Sequence, residues 1–203
     1  KQEGSYKEVF RIKDLMRLFR ASILMILFGY ASVSAGLPLF ITSVLDASPK
    51  WLGLIWAANC LAIVLLQAPV LKWVERNTPK RSLIYVGLIW AASWALVGFS
   101  FISPWALILP IQITSSVVFA IGETIWSPTI PTVVNNLIPD HIRGRSNALM
   151  ALQWGIAGVI AAPLAGFMFD AGLAKLWVAL MCVGCLAPLP LMARIRFQSV
   201  TQK

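Results

Sequence analysis

The chain has 203 residues, 59% of them hydrophobic and only 12% charged; soluble domains run nearer ~25% charged, so a soluble globular protein is excluded. The formal net charge of +9 would suggest nucleic acid if the basic residues formed one patch, but they are dispersed, and no nucleic-acid partner is expected. Uncharged stretches of about the 20 residues that a helix needs to cross hydrocarbon recur along the chain. They predict an all-α membrane protein with six transmembrane helices in a bundle over 21–196, whose main partner is the lipid bilayer.

Residues 1–20 are polar and basic, with apolar residues at helical spacing: Val9/Phe10, Ile12, Leu15/Met16 and Leu18/Phe19. Such a segment either lies on an anionic membrane surface or connects to an upstream domain. The chain begins at Lys1 without an apolar leader, which predicts a piece of a longer protein with 1–20 as a cytoplasmic linker.

Span one (21–45) carries Tyr30 and Ser34 one turn apart on one face, then Gly36 and Pro38. A break of that kind in a spanning helix is tolerated where neighbours or a cavity satisfy the freed backbone. Span two (51–71) places Trp56, Cys60 and Gln67 on one side with Asn59 beside them. Span three (82–98) is rich in Trp and aliphatic residues, and Trp90 and Trp94 read as lipid or packing contacts. The sequence F-S-F-I-S-P-W at 99–105 is the hairpin into span four (103–137).

Span four holds Glu123, the only Asp, Glu, Lys, Arg or His inside any of the long apolar runs. A charged side chain at membrane depth costs roughly 2.5–3.5 kcal/mol on insertion scales, so such residues mark pathways or make specific pairs. At about 100° per residue, Gln112, Ser116 and Ser127 fall within about 40° of Glu123, while Val117, Val118, Ile121 and Ile125 fall away. One polar stripe on an apolar helix faces the bundle interior or a watery path. Pro128 and Pro131 free the carbonyls of Thr124 and Ser127, predicting a kink below the acid with nearby hydroxyls partly replacing the lost bonds.

Span five (146–169) has small residues at Gly155, Gly158, Ala162 and Gly166, a ridge on which another helix can approach closely, and Gln153 and Trp154 precede that ridge. Span six (176–193) is the least polar and is expected at the periphery; residues 197–203 form a tail. Cys182 and Cys185 form a C-x-x-C inside that apolar span, which reads as core packing. No metal or cofactor site is expected.

Lys and Arg number seventeen: six precede span one, four lie between spans two and three, two between four and five, three after span six. Only Lys50 and Lys175 lie in the other loops. This asymmetry predicts both termini in the cytoplasm, in a plasma (inner) membrane.

The residues around Glu123 resemble the major facilitator superfamily, in particular the second six-helix half of its twelve-helix drug-efflux-like members. The resemblance rests on Gly122–Glu123 with Pro128 five residues on, then a P-x-x-x-R-G-R loop at Pro139, Arg143, Gly144 and Arg145. G-V-I-A-A-P-L-A-G-F, with Pro163, is similar to the family's G-x-x-x-G-P-x-x-G-G, Ala162 and Phe167 replacing two glycines. L-K-W-V-E-R-N-T-P-K-R is a degenerate G-x-x-x-D-R-x-G-R-K, keeping Glu75, Arg76 and Lys80 while Leu71, Thr78 and Pro79 depart from it.

The resemblance implies a 3+3 inverted repeat and alternating-access transport of a small molecule, with proton-coupled efflux as the expected activity. It also implies an N-terminal six-helix half in the same native chain, or a second copy. Spans one, two, four and five would line the path and three and six face lipid. Glu75, Arg76, Lys80, Asp140, Arg143 and Arg145 would form a charge network that latches one conformation.

On the residues themselves, Glu123 is either a proton-coupling or substrate-contacting acid, or a carboxyl tied to a neighbouring helix. Gln112, Ser116 and Tyr30, with Ser34, Asn59, Trp126, Ser127, Gln153 and Trp154, are candidates to line the cavity; the alternative for the polar ones is interhelix hydrogen bonding. A six-span channel or an oligomeric scaffold subunit remains open. An intramembrane protease does not fit, because the sole His, His141, is in a loop and no G-x-S-x-G is present.

Overall fold

The computed structural model describes residues 5–195; the first four residues, residue 196 and the expected tail at 197–203 lie outside the described residues. A short helix α1 (Tyr6–Arg11), capped by Ser5, precedes six long apolar helices. These are α2 (Lys13–Val44), α3 (Lys50–Arg76), α4 (Pro79–Phe99), α5 (Trp105–Leu137), α6 (Asp140–Asp170) and α7 (Ala174–Ala193).

The first spanning helix therefore starts at Lys13, inside the stretch expected to be linker. Charge fixes what can sit in hydrocarbon, whereas backbone hydrogen bonding begins wherever an amphipathic turn finds a surface, and Leu15 and Leu18 are fully buried. Within α2, Ile26–Gly36 and Phe40–Val44 are π-helical. The N–H of Leu37 bonds to Ser32 O and that of Leu45 to Phe40 O, five residues back, and the Ser32 hydroxyl donates to Leu27 O. These wide turns flank Leu37–Leu39, which contains Pro38, a residue with no N–H to give to the ladder.

The connections are tight and follow local chemistry. Between α3 and α4, the Asn77 amide donates to Trp73 O at 2.8 Å, Thr78 Oγ1 accepts from the Arg81 N–H, and Pro79 opens the next helix. Of the positions where this loop departs from the family-like pattern, Thr78 caps α4 and Pro79 opens it, while Leu71 lies inside α3. Between α6 and α7 the chain reverses at Gly172, φ 71°, a conformation that L side chains resist.

Packing pairs α2 with α6, α3 with α5, and α4 with both α5 and α7. Exchanging the first three spanning helices for the last three maps the α2–α6 contact onto α5–α3, the pattern of a 3+3 repeat. Hydrocarbon supplies no hydrophobic drive between helices, so close packing and interhelix hydrogen bonds hold the bundle. Ser93 and Ser115 each donate to the other's backbone carbonyl, at 3.0 and 2.9 Å, clasping α4 to α5. Cys182 Sγ donates to Ala91 O, and Cys185 is fully buried, so both cysteines serve packing.

An aromatic core sits between α2, α4 and α7. Trp177 stacks on Phe40 and meets Trp94 edge-on at 5.1 Å, and Trp90, Trp94 and Trp177 are all essentially unexposed. Trp90 and Trp94 thus pack within the bundle. Span six, expected at the periphery, contributes a buried face through Trp177, Met181 and Cys185.

Candidate functional site

The centre of the bundle is organised around Trp90 of α4. Gly29 of α2 and Gly122 of α5 both lie against its indole; a Cβ on Gly122 would meet Trp90 Nε1 at 2.5 Å. Trp90 stacks on Phe119 at 4.8 Å and donates from Nε1 to the Phe119 carbonyl. With these two glycines letting α2 and α5 close on the ring, their next residues meet: the Tyr30 hydroxyl donates to Glu123 Oε1. The Tyr30 ring lies edge-on to Trp154 at 4.8 Å and to Phe119 at 6.0 Å. A half-buried carboxyl thus carries a phenolic donor on one side, and a tyrosine boxed by aromatic rings orients that donor.

On its other side Glu123 opens to a cavity of about 250 Å³, walled by Ile63, Gln67 and Leu71 of α3 and by Thr124, Ser127 and Pro128 of α5. A larger cavity of about 600 Å³ adjoins it, sharing Leu71 and Pro128 and continuing past Thr132 and Asn136 to Glu75 and Asn77. The two adjoin along α3 and α5, a path of neighbouring openings from the acid toward the end of the bundle that carries the basic loops. Thr124, whose carbonyl Pro128 leaves free, is on that path, where water can serve as donor.

The expected hydroxyl compensation takes another form. Thr124, Thr129 and Thr132 donate to Ala120 O, Ile125 O and Pro128 O, each one turn back, not to the carbonyls of Thr124 and Ser127. The helix runs unbroken from Trp105 to Leu137 through Pro110, Pro128 and Pro131.

The polar stripe of α5 divides. Gln112 is buried and donates to Ser100 Oγ at 2.9 Å; Ser116 donates to Ile55 O, and Asn59 donates back to Ser116 O. Those three groups bond between elements and do not line the cavity. Glu123 and Ser127, further along, do line it. Gln153 is likewise buried, accepting from Ser22 Oγ at 2.7 Å and holding α6 to α2. Trp126 is buried and tilted against Trp90; with Trp154, 43% exposed, it walls a separate cavity of about 170 Å³ between α2, α5 and α6. Ser34 is exposed and lines neither cavity.

The six charges expected to form one network are not joined to one another in this structure beyond a single pair. Arg143 pairs with Asp140 on the same turn, and Arg145 stands over the Tyr6 ring at 6.0 Å. Glu75, Arg76 and Lys80 make no ion pair among the described residues, and Glu75 faces the larger cavity. A different contact appears nearby: Glu8 of α1 meets His141 Nε2 at 2.8 Å while Val9 is fully buried, so α1 is docked on the start of α6.

The glycine ridge of α6 is open. A methyl group added at Gly155, Gly158 or Gly166 would meet nothing within 4 Å, and Pro163 is exposed. The close approach to α2 uses a neighbouring stripe instead: Ala157, Ala161 and Ala165 are buried, and Gly36 lies against Ala165. Ala162 sits between the two stripes and is half-buried.

Sequence reasoning did not single out Thr124, Thr132, Asn136 or Asn77 as cavity residues, nor Trp90 and Phe119 as the walls around Tyr30. Thr124 adjoins the lone acid and was reachable by proximity. The others depend on which helix covers which face.

The profile of the Major Facilitator Superfamily matches residues 20–203. A curated relative, the uncharacterized MFS-type transporter YhjO of Bacillus subtilis (strain 168), is 29% identical over 137 residues, 68% of this chain and 32% of its own length. The chain thus aligns over about a third of that relative. No solved structure matches.

Proposed function

The chain belongs to the Major Facilitator Superfamily, and from that premise we propose that it acts in moving a small molecule across a membrane by alternating access. Glu123 is the coupling acid, and efflux is the direction, as in the drug-efflux-like members that the P-x-x-x-R-G-R loop resembles. Both ends lie on the cytoplasmic side of the plasma (inner) membrane, where the basic loops gather. The observation that carries this reading is the placement of the lone embedded acid, between a phenolic donor and a cavity leading to the basic-loop end. A carboxyl is least costly to ionise when water reaches it and most costly when the cavity around it dries. Alternation between those settings takes up a proton on one side and releases it on the other.

The transport cycle requires a second six-helix bundle, because rocking of two bundles about a shared site is what alternates access. The open glycine ridge of α6 supports such a neighbour, supplied by the same native chain or by a second copy. In the test, Glu123→Gln is placed in the whole transporter in proteoliposomes, with a fluorescent lipophilic dye as probe. Proton-driven uphill movement is lost while membrane insertion and downhill exchange persist. Uphill pumping by this variant at the wild-type rate would leave Glu123 as a structural tie to Tyr30, with coupling elsewhere.

A further inference from the structure

A third opening lies away from the central path. Between α4 and α7 runs a groove of about 380 Å³, with Trp94 and Gly98 on one wall, Val178 and Cys182 on the other, and Phe101 and Lys175 at its mouth. We propose that this groove is a binding site for an anionic phospholipid, an acyl chain lying along its apolar walls and the phosphate at Lys175.

Three observations support that occupant. Lys175 is exposed, stands over the Phe101 ring at 5.8 Å and pairs with no carboxylate among the described residues. It occupies the first turn of α7, which has no acidic residue there and no side-chain cap from Leu173. A cation at a helix N-terminus opposes the positive end of the dipole, and an anion at this position answers both the lysine and the free N–H groups. Independently, Trp94 is 1% exposed and its indole N–H has no acceptor, although its ring forms part of the groove wall. The ester or phosphate oxygen of a lipid supplies that acceptor, and indole rings at membrane interfaces characteristically bridge apolar and polar layers.

A free phosphate does not fit as well, because it would leave the apolar walls uncovered. A second copy of the chain would cover them but would bring no anion from the apolar spans that meet this face. A phospholipid carries both parts in one molecule.

The test is native mass spectrometry of the full-length protein released from membranes of phosphatidylethanolamine and phosphatidylglycerol. Wild type retains phosphatidylglycerol in preference to phosphatidylethanolamine. Lys175→Glu lowers that retention by at least about fivefold, the scale of one basic side chain at a lipid surface, whereas Lys175→Arg and the control Lys50→Glu preserve it. Ala179→Trp, which fills the groove without touching the charge, lowers it as well and serves if Lys175→Glu does not fold. Equal retention in wild type and both groove variants overturns the proposal. So does equal retention of the two lipids by wild type, or a lipid-free dimer closed through this face.

Discussion

Tyr30 of α2 donates its hydroxyl to Glu123 of α5, joining the first helix of each three-helix repeat across the centre of the bundle. Among the described residues no basic side chain pairs with Glu123, so the phenolic donor is its one hydrogen-bond partner there. Tyr30→Phe removes the donor and leaves the carboxyl half-buried without it, at a cost of about 1–3 kcal/mol. In a double-mutant cycle with Glu123→Ala, which removes the acceptor, thermal unfolding in detergent is expected to show a coupling energy of about 0.5–3 kcal/mol. Strict additivity would mean that the two side chains do not meet.

Gly122 and Gly158 make opposite predictions from the same residue type. A side chain at Gly122 collides with Trp90, and the ring is pinned by Phe119, so Gly122→Val costs about 1–3 kcal/mol of bundle stability. At Gly158 an added Cβ has nothing within 4 Å among the described residues, so Gly158→Val has room. It leaves the unfolding temperature of the isolated chain unchanged but weakens association with a second bundle. Equal destabilisation by both in the isolated chain would contradict the open ridge.

The path beside Glu123 opens toward the basic loops, and chemical labelling reads this directly. In a Cys60→Ala background, Ser127→Cys reacts with a membrane-impermeant maleimide supplied from the basic-loop side. Gln112→Cys, at a site fully buried against Ser100, reacts about tenfold slower or less. Similar rates at the two positions would refute the division of the α5 stripe.

Topology follows from the charge asymmetry and is tested separately. Reporter fusions after Asp46, Thr78, Ser103, Asp140 and Gly172 are expected to alternate, with Thr78 and Asp140 on the cytoplasmic side. Two consecutive fusions on the same side would remove one of the six spans.

Much of this protein was legible from local properties of the chain. Hydrocarbon rejects charge, so the placement of charged residues, with the F-S-F-I-S-P-W hairpin dividing the longest apolar run, marked out six spans and left Glu123 as an acid of interest. Helical periodicity put Gln112, Ser116, Glu123 and Ser127 on one face of span four, which is α5. It could not say what covers each part of that face. The covering comes from residues far away in the sequence: Ile55 accepts from Ser116 across 61 positions, and Tyr30 reaches Glu123 across 93.

The same limit explains the α6 ridge and the charged loops. Gly155, Gly158 and Gly166 promised a close helix contact, but the pairing with α2 turned the alanine stripe inward and left the glycines open. Arg145 carried the family-like spacing and His141 lies in the same loop, yet their contacts are with Tyr6 and Glu8 of α1, because the buried Val9 docks that helix beside them. By itself the sequence determined the six apolar spans and the lone acid, since both follow from the cost of placing single residues in hydrocarbon. Only the tertiary structure decided which polar groups are sealed between helices and which face a cavity, because that depends on the pairing of surfaces from distant parts of the chain.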